Sequence, residues 1–134
     1  ECCLCGVDVR DSDALCSYRD GVRGRVRCVY MTAAGMAGIK RSGIIVDSGI
    51  GISKNLKHSL EILGRLDEFK GMSGGVLLGA SRKSFIGMMT GEDSDRLAGS
   101  LSAAMIGATA GVDLLRVHDV KETRRAIETI NALN

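Results

Sequence analysis

Val76-Leu77-Leu78-Gly79-Ala80-Ser81-Arg82-Lys83-Ser84-Phe85-Ile86-Gly87 decides how this chain is read. An apolar run short enough for a buried strand opens into small residues, two cations and two hydroxyls, and a helical pattern follows. That order delivers positive charge and hydrogen-bond donors to one end of a sheet, which is how α/β proteins build anion sites. The same order recurs as Ile44-Ile45-Val46 followed by Asp47-Ser48-Gly49-Ile50-Gly51, and as Leu114-Leu115 followed by Arg116-Val117-His118-Asp119. Three strands are therefore expected to end in chemistry.

Helical patterns separate these runs. Leu56, Leu60, Leu63 and Leu66 recur at helical spacing behind Ser53 or Asn55 as the cap, and predict an amphipathic helix ending near Gly71. Leu97, Leu101, Ala104, Met105 and Ala108 form a second stripe, beginning after Asp93-Ser94 and stopping at Gly111, and its small residues suit close packing on a sheet. Asp119 with Glu122 reads as a capping box ahead of Val120, Thr123, Ile127, Ile130 and Leu133 on one helix face. Upstream, Cys2-Cys3-Leu4-Cys5 reads as a strand and residues 18–37 as a helix weakened by Gly21, Gly24 and Gly35. Strand and helix thus alternate four times, with strands near residues 2–5, 44–46, 76–79 and 114–117. Such βα units stack into a parallel sheet, because each crossover returns the chain to the same starting edge.

Composition narrows the function classes. The 134 residues make one domain, short of the roughly 250 of a complete eight-unit barrel. A net charge of +2 with 3% aromatic residues argues against nucleic acid, since neither a basic footprint nor a stacking platform is present. No apolar run reaches the roughly 20 residues needed to span a bilayer, and no leader pattern opens the chain, so a cytoplasmic location and no membrane partner are expected. All 5 cysteines fall within the first 28 residues. An odd count confined to one end does not make a disulfide framework, and the C-x-x-C spacing lacks a second pair or a nearby histidine to complete a zinc site. Small apolar thiols filling a strand are the simpler reading.

Asp47-Ser48-Gly49-Ile50-Gly51, Gly79 through Gly87, Arg96-Leu97-Ala98-Gly99-Ser100 and Arg116-Val117-His118-Asp119-Val120 stand in the order and spacing of the motifs of dihydropteroate synthase, and from about residue 40 onward the chain resembles that family. The resemblance implies an α/β fold, a parallel (βα)4 half of a TIM-type (β/α)8 barrel, corresponding to the C-terminal half. It implies a transferase of folate biosynthesis that joins a dihydropterin methyl pyrophosphate to p-aminobenzoate, giving dihydropteroate and pyrophosphate. The pterin-binding aspartate falls on Asp47. By the same resemblance Lys83 would contact the pterin and border the aminobenzoate site with Ser84 beside it, and Arg116 and His118 would hold the pyrophosphate. Gly51, Ile52, Ser81 and Arg82 complete the implied substrate-binding set, and Lys83, Arg116 and His118 the catalytic one. Magnesium is implied through the substrate pyrophosphate, its usual protein ligand belonging to the other half of the barrel. The chain departs from the family at Ser48, where a proline is usual, and at Ile52, where an aromatic residue is usual.

Each of these residues also has a plainer reading. Arg82 and Lys83 could be a solvated charged pair, His118 a structural histidine and Asp47 a loop cap. Arg116, in an apolar strand, requires a partner, which could be Asp47 or Asp113 as easily as pyrophosphate. Arg23, Arg25 and Arg27 read as a solvated helix face, and His58 as surface structure. Two further functions stay open: a pterin-binding barrel for methyl transfer, and a non-catalytic half-barrel. Half a barrel exposes two sheet edges, so a homo-oligomer or a complementing N-terminal half is expected as partner.

Overall fold

Three short parallel strands lie side by side in chain order: β1 (Ile45–Asp47), β2 (Gly75–Leu78) and β3 (Leu114–Leu115). They belong to a computed structural model that describes residues 36–51, 55–71, 73–91 and 95–133. Ile45 pairs with Gly75 and Asp47 with Leu77, while Leu77 pairs with Leu114 and Leu78 with Leu115. Parallel strands cannot be joined by a tight turn. Helix α1 (Leu56–Gly64), continued by a 3-10 turn over Leu66–Phe69, returns the chain from β1 to β2. Helices α2 (Ser84–Thr90) and α3 (Leu97–Ala110) return it to β3, and α4 (Val120–Asn131) follows. The expected strand at 2–5, most of the helix expected over 18–37, all five cysteines, the basic triplet and Ile52 lie outside the described residues.

The helix ends follow from local chemistry. Asn55, and not Ser53, caps α1: its Oδ1 accepts the His58 N–H at 2.9 Å. Gly111 ends α3 in the left-handed conformation, φ +75°, which glycine adopts without a Cβ penalty. Asp119 stands at the start of α4 without capping it by its side chain. Its carboxylate is drawn instead to the Arg82 guanidinium, a stronger charge-assisted pairing.

The core gathers Ile62, Leu63, Leu66 and Phe69 from the first crossover, Val76 and Leu78 from β2, and Phe85 and Ile86 from α2. Full burial of side chains of this size contributes about 1.5–3 kcal/mol each. The buried faces are centred differently from the leucine stripes. In α1 the centre is Ser59, fully buried with its hydroxyl bonded back to the Asn55 carbonyl at 3.1 Å. Leu60, one residue or roughly 100° further round, is exposed. In α3 the buried residues are Ser100, Ala103, Ala104 and Gly107. In α4 only Thr123 is buried, and Val120 and Leu133 face solvent.

Small residues along α3 let it approach the sheet. A Cβ on Gly107 would lie 2.5 Å from Leu78 Cδ2 and 3.3 Å from Leu115 Cδ2. Gly64, ending α1, has no heavy atom beyond its chain neighbours and its own helix backbone within 4 Å of such a Cβ among the described residues. Gly107→Ala is therefore expected to lose about 1–2 kcal/mol, net of the roughly 1 kcal/mol that alanine gains in a helix. Gly64→Ala is expected to gain up to about 1 kcal/mol. Urea midpoints at unchanged slope check both, and equal stability of the two variants would contradict this helix-to-sheet distance.

Candidate functional site

Parallel pairing places the C-terminal ends of β1, β2 and β3 on one edge, and the turns leaving that edge hold the chemistry. Asp47 closes β1. Its Oδ1 accepts the Gly49 N–H at 2.8 Å and its Oδ2 accepts Arg116 Nη2 at 2.9 Å. Of the partners open to Arg116, Asp47 is the one it takes. Asp113 lies at the opposite edge, where its Oδ2 accepts the Val76 N–H at 2.8 Å.

Arg116 is not buried in a strand. β3 ends at Leu115, and the Arg116 side chain is 59% exposed among the described residues. Its backbone N–H still bonds the Leu78 carbonyl at 2.9 Å, which sets it beside β2. The guanidinium then crosses Gly79, where a Cβ would lie 2.6 Å from Nη2. Any larger residue at 79 would obstruct the route from Arg116 to Asp47.

Lys83 reaches the same turn from β2. Its Nζ donates to the Ile50 carbonyl, and its stem lies over Gly51, where a Cβ would stand 2.7 Å from Lys83 Cδ. The β1 turn is thus bracketed by Arg116 on the β3 side and by Lys83 on the β2 side. Ser84 opens α2 and is exposed.

The other predicted residues form a second group. Ser81, 7% exposed, has its Oγ 3.1 Å from His118 Nδ1 and 3.2 Å from the His118 backbone N. One residue further on in each loop, Arg82 donates to both oxygens of Asp119, Nε at 3.0 Å and Nη2 at 2.5 Å. Arg82 has φ +56°, a conformation that costs a residue with a Cβ roughly 1–2 kcal/mol. Its surroundings enforce it. Ser100 Oγ accepts the Arg82 N–H at 2.9 Å, and Arg96 Nη1 donates to the Arg82 carbonyl at 3.1 Å. Arg96, Ser100 and Asp119 were not singled out as site residues from the sequence. The signal that could have found them is their place within the same two motifs.

The hydrogen bonds from Arg82, reinforced by its charge, hold the Asp119 carboxyl below its ordinary value of 3.8 against a smaller opposing desolvation. The same bonds raise Arg82. Ser48, where a proline is usual in the resembling family, donates its N–H to the Leu77 carbonyl at 3.0 Å, a bond proline cannot make. Its buried hydroxyl has no hydrogen-bond partner among the described residues. Among the described residues, no three His, Cys, Asp or Glu side chains cluster as a metal site would require.

This edge can hold a group that offers donors to Asp47 and an anion to Arg116 and Lys83. A family model described as pterin binding enzyme matches residues 8–118. Over 97 residues the chain is 44% identical to dihydropteroate synthase of Escherichia coli K12, a match covering 72% of this chain and 34% of that protein, so the chain spans about a third of that relative's length. Among solved structures it is similar to dihydropteroate synthase from Xanthomonas albilineans in complex with 7,8-dihydropteroate, with TM-score 0.73 and 37% identity over 77% of this chain and 40% of that one. It is equally similar, at TM-score 0.73 and 37% identity, to the enzyme of the same organism with 4-aminobenzoic acid, covering 77% of this chain and 38% of that one.

Two outcomes follow from this geometry. Because the folded state holds Asp119 below its ordinary value, the unfolded chain takes up that proton first as pH falls. The resulting stability is complete above pH 3.8 and is lost as pH drops through the lower, folded value. Urea midpoints followed through that acid window should fall more steeply for the wild type than for Asp119→Asn, and parallel curves would remove the linkage. Ser48→Ala keeps the backbone N–H and removes the orphan hydroxyl, so it should raise stability by about 1 kcal/mol or more in the same measurement.

Proposed function

The chain belongs to the pterin-binding enzyme family, and from that membership we propose that its strand-end residues form one half of a dihydropteroate synthase site. The observation that carries this reading is the convergence of Asp47, Lys83 and Arg116 on the β1 turn, from three different strand ends. A carboxylate offers about four lone-pair positions. Asp47 uses one for Gly49 and one for Arg116, so it retains acceptors for the amino and ring N–H groups of a pterin. The two relatives solved with 7,8-dihydropteroate and with 4-aminobenzoic acid support the same substrate pair for this chain.

The chemistry asks the protein for electrostatics more than for a nucleophile. The C–O bond to pyrophosphate breaks, the aniline nitrogen of p-aminobenzoate forms the new C–N bond at the methylene, and that nitrogen then gives up a proton. Departure is favoured where the leaving charge is neutralised, and Arg116 presents a planar fork of donors suited to phosphate oxygens. Lys83 supplies a second cation between the pterin and the aminobenzoate, with Ser84 beside it. His118 contributes a donor to the pyrophosphate. The donor set on this edge suits an anion and not a divalent cation. A magnesium ion would be held by the substrate's own oxygens, and none of these steps runs through it.

Gly51 keeps room for the Lys83 stem in this arrangement, and Ile52 provides apolar bulk against the aminobenzoate ring. Ser81 and Arg82 hold the second loop close to the substrates. Among the described residues β1 and β3 are the outer strands, and they carry exposed apolar side chains, Ile45 at 55% and Leu114 at 43%. They are covered by a second copy of the chain or by a complementing N-terminal half, which also brings the remaining pterin contacts. Among the described residues no helix is long and apolar enough to cross a membrane. A cytoplasmic setting, where folate precursors are made, belongs to the same proposal.

Calorimetric titration with a dihydropterin pyrophosphate analogue tests the reading. A charged hydrogen bond is worth about 1.5–3 kcal/mol, so Asp47→Asn should weaken binding by roughly ten- to a hundredfold. Lys83→Ala should act in the same direction while leaving the urea midpoint near that of the wild type. A folded wild-type chain that fails to bind the analogue, or an Asp47→Asn variant that binds it as well as the wild type does, would overturn the assignment.

A further inference from the structure

We infer that Ser81 is a positioning residue that fixes the neutral His118 ring in the Nε2–H tautomer. The backbone N–H of His118 can only donate, so it occupies one lone pair of Ser81 Oγ, 3.2 Å away. The hydroxyl proton then needs an acceptor. Among the described residues the only other atom bonded to Oγ is His118 Nδ1, at 3.1 Å, and Ser81 is 7% exposed. Were Nδ1 protonated, the hydroxyl would receive two N–H groups and its own proton would be buried with nowhere to go, an arrangement that folded proteins avoid. With Nδ1 as acceptor all three groups are satisfied, and the ring proton resides on Nε2.

The neighbouring ion pair holds the register in which this works. Residues 81 and 82 of one loop bond residues 118 and 119 of the other, serine to histidine and arginine to aspartate. The fork from Arg82 to Asp119 prevents the two loops from sliding past each other, and Ser100 and Arg96 fix the Arg82 backbone on its other side. His118 is exposed, and its Nε2 has no hydrogen-bond partner among the described residues. The clasp therefore presents an N–H donor outward, as a phosphate oxygen requires. The tautomer assignment stands on geometry alone; its use as an anion donor rests on the function proposed above.

Nitrogen-15 NMR of the imidazole rings at about pH 8.5, well above the ordinary histidine range, reads the tautomer directly. The chain has only 2 histidines, so a His118→Gln variant identifies the signals. In the wild type, His118 should show limiting resonances for a protonated Nε2 and an unprotonated Nδ1. Ser81→Ala should move both nitrogens to averaged, intermediate positions. A wild-type ring that is already averaged, or protonated on Nδ1, overturns the proposal, as does a folded Ser81→Ala variant whose ring stays at the limit. Should Ser81→Ala unfold, Asp119→Asn loosens the clasp from its exposed side and should bring the same averaging, and its failure to do so counts against the proposal. Adding inorganic pyrophosphate separates the two readings. A shift confined to Nε2 of His118 supports its role as anion donor, whereas an intact tautomer that pyrophosphate leaves unmoved removes that role and leaves the assignment to Ser81 standing.

Discussion

The parallel ladder from β1 through β2 to β3 is the constraint from which everything else in this chain follows. A parallel neighbour cannot be reached by a hairpin, so each strand must be followed by a crossover that carries the chain back to the starting edge. All three strands then finish on the same side. Residues 30 or more apart in sequence, such as Asp47, Lys83 and Arg116, meet there without any local signal telling them to. The strands contribute only three, four and two residues, and the ladder still suffices because helices and the 3-10 turn cover one face of it.

Bringing charges to one edge creates an electrostatic problem that the structure resolves in pairs. Asp47 takes Arg116, Asp119 takes Arg82, and Lys83 takes the Ile50 carbonyl. The two ion pairs differ in what surrounds them. Arg82 is fixed at four points, through its backbone N–H, its carbonyl and both arms of its guanidinium, in a backbone conformation it would not choose alone. The Arg116 guanidinium makes one hydrogen bond among the described residues, to Asp47, and lies across a glycine in solvent. A partner so lightly held can be exchanged for a ligand, whereas the Arg82 pair serves the loops themselves. Both pairs sit near water, where such contacts contribute little to global stability, so their value lies in placing groups.

Close approach is the second condition the site requires. Gly79 lets the Arg116 guanidinium cross β2, Gly51 lets the Lys83 stem lie on the β1 turn, and Gly107 seats α3 against Leu78. Ser59 and Ser100 mark the centres of buried helix faces because a small side chain keeps the helix near the sheet, and each hydroxyl is satisfied by a backbone carbonyl one turn earlier. Ser48 is the counterexample. It gains a ladder bond to Leu77 and buries a hydroxyl without a partner among the described residues, so it both tightens and weakens the end of β1.

Sequence alone determined the alternation of strands and helices over residues 44–133, the parallel arrangement, the edge that carries chemistry, and the family, because apolar periodicity and contiguous motifs are local properties of the chain. It also identified Asn55 as one of two caps and Gly111 as a stop. It misjudged which helix faces are buried at Leu60, Val120 and Leu133, because leucine and valine signal apolarity while the packing selected small residues. It read Asp119 as a cap, since the competing guanidinium of Arg82 is 37 residues away and no local rule weighs it. Only the tertiary structure decided that Arg116 pairs with Asp47 and not Asp113, that Ser81 faces His118, and that Arg82 is turned inward to Asp119. Partner choice among like charges depends on distances across the sheet, and those exist only once register and crossover have been set.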